Sequence, residues 1–87
     1  MMSHSETMKV LYEYYHDCVN YWMNKGQDER EACLSALEDI RDTEYNPLIP
    51  FPEEKDHLDT DAVQSFKQAR LMDLFGKQWK KHEELIR

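Results

Sequence analysis

Two glycines and three prolines in 87 residues leave too little turn material for an all-β fold, whose short strands need frequent turns. Two cysteines, Cys18 and Cys33, exclude a disulfide-dense secreted scaffold and make a reducing cytoplasm the expected setting. No run approaches the ~20 apolar residues of a membrane span, and the opening MMSHSETMKV lacks the apolar stretch of a secretory leader. Basic residues are scarce: 11 Lys and Arg against 18 Asp and Glu give a net charge of −7. That deficit argues against direct nucleic-acid binding, whose affinity comes largely from neutralised phosphates, and suits a protein that meets basic surfaces. Ser3, Ser5, Ser35 and Ser65 lie in no G-x-S-x-G elbow, and no Gly-rich phosphate loop is present. His4, His16, His57 and His82 are scattered, without an H-x-x-x-H or C-x-x-C pair. No enzyme, metal or cofactor is expected.

What the chain does contain is helical periodicity, enough for one all-α domain over residues 1–87. Ser3 and Glu6 fit a capping box at the start of a first helix over about 4–25. Met8, Leu11, Tyr15, Cys18 and Trp22 recur at helical steps, and Gly26 supplies a left-handed stop. Val10, Tyr14 and Tyr21 form a second stripe, so this helix needs cover on more than one side. Asp28 caps a second helix over about 28–42, where Cys33, Leu37 and Ile40 line the apolar edge. Only Gly26 and Gln27 separate the two, which predicts an antiparallel hairpin. Its register sets Cys18 opposite Cys33, Tyr15 opposite Leu37, and Leu11 or Tyr12 opposite Ile40. The cysteines then read as small core residues, with a disulfide as the less common alternative.

Residues 43–60 read as an irregular connection. Asn46-Pro47 signals a turn, and Pro47, Pro50 and Pro52 block helix and central strand alike. Tyr45, Leu48, Ile49 and Phe51 are too apolar for a free linker, so an ordered proline-containing loop across the hairpin is expected. A third helix follows over about 61–86, capped by Asp59 or Thr60, with Val63, Phe66, Ala69, Met72, Phe75, Trp79 and Ile86 at helical spacing. The result is a three-helix bundle. At 1.5 Å per residue a straight third helix of roughly 39 Å would overrun the hairpin. Either Gly76 bends it back, or a second copy covers Phe75, Trp79, Leu85 and Ile86; a homodimer through the C-terminal helix is the expectation.

Charge is segregated: residues 1–61 carry 5 basic and 15 acidic side chains, residues 62–87 carry 6 and 3. Asp28, Glu31, Glu38, Asp39 and Asp42 mark an acidic side of the second helix and a candidate partner-binding face. Plain solvation is the commoner origin of such a face. Tyr14, Tyr21, Phe75 and Trp79 are the candidate aromatic contacts, for a partner or for an oligomer. In its small size, acidity and helicity the chain resembles accessory proteins of phages and mobile elements, a likeness of composition that assigns no residue a role. The function expected is a small acidic protein-binding module, an inhibitor or adaptor. Two alternatives stand beside it: a nucleic-acid mimic that blocks a basic channel through the acidic face, and a homo-oligomeric assembly protein.

Overall fold

The computed structural model describes residues 1–41, 45–52 and 57–87, and every regular element among them is helical. α1 spans His4–Asn24, α2 Glu29–Arg41 and α3 Thr60–Phe75. Gly76–Ile86 then follows as 3-10 turns, interrupted at His82, and is called the arm below.

Each helix begins where an oxygen can take an orphan amide. Ser3 accepts from Glu6 N at 3.2 Å, Asp28 from Glu31 N at 2.8 Å and Asp59 from Ala62 N at 2.9 Å. Asp59, and not Thr60, is therefore the cap of α3. α1 ends in a Schellman turn: Gln27 N donates to Trp22 O and Gly26 N to Met23 O. This closure needs Gly26 at φ 104°, where a side chain would be strained.

Cross-contacts set the directions of the elements. Asp59 N donates to Thr7 Oγ1, and the Tyr12 and Tyr15 rings lie edge-on to Phe66, so α3 runs parallel to α1. Lys67 Nζ reaches Arg41 O and Arg30 reaches Leu74 O, which makes α3 antiparallel to α2. Arg41 Nε donates to Arg87 O at the far end of the arm. The chain thus runs up, down, up and down. α2 and α3 form the middle, with α1 on one side and the arm on the other.

The core contains Leu11, Cys18, Leu37, Ile40, Phe66 and Leu71, all at most 1 % exposed. Cys18, Leu37 and Ile40 are buried, as expected of the hairpin's apolar stripes. Tyr15 is only half-buried, because its hydroxyl stretches to the carbonyl of Cys33. Both cysteines are free thiols, and Cys33 is half-buried rather than fully inside.

Tyr14, in the second stripe of α1, is covered by residues 45–52. Asn46, Pro47, Leu48 and Ile49 make a turn in which Ile49 N donates to Asn46 O and Leu48 N to Asn46 Oδ1. The turn carries Tyr45 and Phe51 onto Tyr14, with ring centres 4.8–5.4 Å apart. The third helix departs from its expected form. At Gly76, φ 56° and ψ −130° lie outside the regions open to L-residues, and the chain turns back there. No long overhang exists: Phe75, Trp79, Leu85 and Ile86 are half-buried against the body of their own chain.

Candidate interaction surface

α2 owes its acidic side to a simple division of its circumference. Ala32, Ala36, Leu37 and Ile40 face inward, which leaves Glu31 and Glu38 on the opposite side, two turns apart. Their separation along the axis is about 10.5 Å. Both are exposed, and among the described residues no cation pairs with either.

The other acidic candidates have different tasks. Asp28 is exposed, and the amide hydrogen bond it accepts from Glu31 holds its carboxyl below the ordinary value. Asp39 is half-buried: Trp22 Nε1 donates to its Oδ2 at 2.8 Å, and Asn46 Nδ2 lies 3.4 Å from its Oδ1. Asp39 thus ties α2 to α1 and to the 45–52 turn, and it leaves the exposed row. Asp42 lies outside the described residues, as do Glu44, Glu53, Glu54 and Asp56.

The four aromatic candidates do not form one surface. Tyr14 is fully buried, because the turn it supports also covers it. Its hydroxyl accepts from Asn46 N at 2.8 Å and donates to Asn46 O at 3.1 Å. It is a core residue and presents no face to a partner. Tyr21 is half-buried against Trp22, with Lys25 Nζ 5.4 Å from its ring centre. Phe75 and Trp79 are half-buried at the opposite side of the molecule, where Phe75 stacks on His82 at 3.8 Å.

Burial also sets the chemistry of the interior. It pushes the Cys18 thiol up to about 12, with the nearby Asp39 charge adding to the effect. Tyr14, Tyr15 and Tyr45 are likewise raised, by burial first. A thiol held protonated in this way is a poor nucleophile.

One exposed feature escaped the periodicity argument. Tyr12 is 52 % exposed, yet its hydroxyl accepts from Arg70 Nη1 at 2.9 Å and the guanidinium sits 4.8 Å from its ring centre. Arg70 is itself wedged among Tyr12, Tyr15 and Phe66. In the sequence Tyr12 falls between the two apolar stripes, and no local spacing links it to a residue 58 positions away.

Two open clefts lie side by side on the described surface. The first, of about 480 Å³, lies between Met2, Glu6, Lys9 and His57; the second, of about 490 Å³, lies beside it over Tyr12, Glu13 and His16. Among the described residues no three His, Cys, Asp or Glu side chains are grouped to hold a metal, and no helix is long and apolar enough to cross a membrane. Searches of protein-family models, curated proteins and solved structures find no match to this chain.

Proposed function

We propose that this chain is a small acidic protein-binding module, an inhibitor or adaptor that offers the outer side of α2 to a basic surface on another protein. The observation that supports this reading is the pair Glu31 and Glu38: exposed, without a cation partner among the described residues, and mounted on a helix whose inner side is locked in the core. A rigid pair of like charges loses little conformational freedom on binding, and it favours a partner of opposite sign. Mimicry of a phosphate row draws less support, because Asp39 is turned inward to Trp22 and the row is shortened.

The test compares wild type with a Glu31→Gln/Glu38→Gln variant as bait for proteins of the source cell, at low and at moderate salt. The expected result is a basic partner whose retention falls at least about tenfold in the variant or on raising salt from about 50 to 300 mM. A partner held equally by both baits, or one indifferent to salt, would overturn the acidic-face reading.

A further inference from the structure

The arm is built unlike the rest of the molecule. Its 11 residues are 3-10 turns broken at His82, where the rest of the chain's helices are α. None of its residues is fully buried, and no side chain caps its start. Its composition, KQWKKHEELI, has no glycine or proline after Gly76 and is rich in good α-helix formers. Written as an α-helix continuous with α3, it would bring Phe75, Trp79, His82 and Ile86 onto one side, at steps of four, three and four. The torsions of Gly76, and a smaller break at His82 (φ −117°, ψ 17°), separate the two forms. A Cβ placed there would meet nothing within 4 Å, so backbone conformation and not crowding makes this position glycine-specific.

The topology says what the open form would meet. In the folded chain the arm lies antiparallel to α3, with Trp79 and Ile86 beside Gln64 and Gln68 and with Arg87 tied to Arg41. If Gly76 becomes helical, the arm continues along the α3 axis for about 16 Å and leaves its own seam bare. Two such chains placed antiparallel about a two-fold axis near residue 76 each set an arm against the other's α3, in the direction it has in the closed chain. The arm then meets the same seam that it covers in the closed chain, in the same direction. Charge agrees: residues 62–87 are net basic and residues 1–61 are strongly acidic.

We propose that residues 77–86 form an exchangeable arm, which opens at Gly76, extends α3 and seats on the α2–α3 seam of a second copy of this chain. Glycine at position 76 favours the closed, single-chain form, and exchange is a low-cost route to a symmetric dimer because the arm covers the same apolar seam in both.

The test is Gly76→Ala, which disfavours the closed torsions and permits the helical ones. Light scattering at about 50 µM should show roughly tenfold more dimer than wild type, with a gain in helical circular dichroism. Adding Trp79→Ala and Ile86→Ala to that variant should return it to monomer, since the seat is lost. A Gly76→Ala protein that stays monomeric at every concentration, or a dimer that survives the added changes, overturns the proposal. Should Gly76→Ala fail to fold, wild type refolded at about 1 mM must yield a slowly dissociating dimer; its absence is equally decisive.

Discussion

The side of the molecule closed by residues 45–52 and the side closed by the arm solve the same problem by different means. Both cover an apolar helix surface with a segment that is not itself an α-helix. The 45–52 turn does so with a polar lock. Tyr14 and Asn46 exchange two hydrogen bonds, Asn46 reaches Asp39, and Asp39 holds Trp22. Buried polar groups that are mutually satisfied admit one arrangement and penalise the others. The arm has a looser hold: a stacked Phe75–His82 pair, one hydrogen bond from Arg41, and half-buried apolar edges. Irregular backbone can be either a fixed or a movable cover, and the polar partners beneath it decide which.

The largest effect is expected in the core that both sides enclose. Leu37→Ala, in the fully buried centre of α2, should cost about 2–5 kcal/mol in denaturant melts. A loss under about 1 kcal/mol would remove Leu37 from the core. An intermediate effect is expected from alkali. Cys18 lies at about 12 in the folded protein against an ordinary 9.0, and Tyr14, Tyr15 and Tyr45 are raised from 10.0. The folded state therefore holds these protons more tightly than the unfolded chain does. Their contribution is full below about pH 9 and declines as pH rises through the ordinary values toward the folded ones. Melts at about pH 7, 9 and 10.5 should show that decline, and Cys18→Ala should flatten part of it. A flat profile would mean that these groups are hydrated. The smallest effect belongs to the arm: Trp79→Ala should cost about 1 kcal/mol, with the amides of 77–86 exchanging well before those of α1 and α2.

The hairpin was readable because its signals are local. Ser3, Gly26 and Asp28 mark ends within a few residues of the groups they serve, and Leu37 and Ile40 repeat at helical steps. α3 was harder. Its inner side carries Lys67, only 6 % exposed, and the wedged Arg70, and cations on an inner face blur the apolar period. What bound Tyr14 was not readable either, since Asn46 lies 32 residues away and an aromatic stripe looks the same whether a loop, a helix or a partner covers it. Gly76 was visible as a weak point, but its direction of bend depends on the seam between α2 and α3. The acidic row lost Asp39 for a similar reason: its bond to Trp22 spans 17 residues. Spacing along one helix cannot tell a solvated carboxylate from an engaged one.

Three cations in this acidic chain point at main-chain oxygens near the ends of segments other than their own: Lys67 at Arg41, Arg30 at Leu74 and Arg41 at Arg87. Each meets the negative pole of a helical segment, where a positive charge is favoured. Completion of these ends is therefore a collective event. α2 lacks the Lys67 ammonium until α3 docks, α3 lacks the Arg30 guanidinium until α2 is present, and the arm depends on α2 again. Such reciprocal completion couples α2 to α3, so that neither helix reaches its full stability before the other docks, while the arm depends on both without being needed by either.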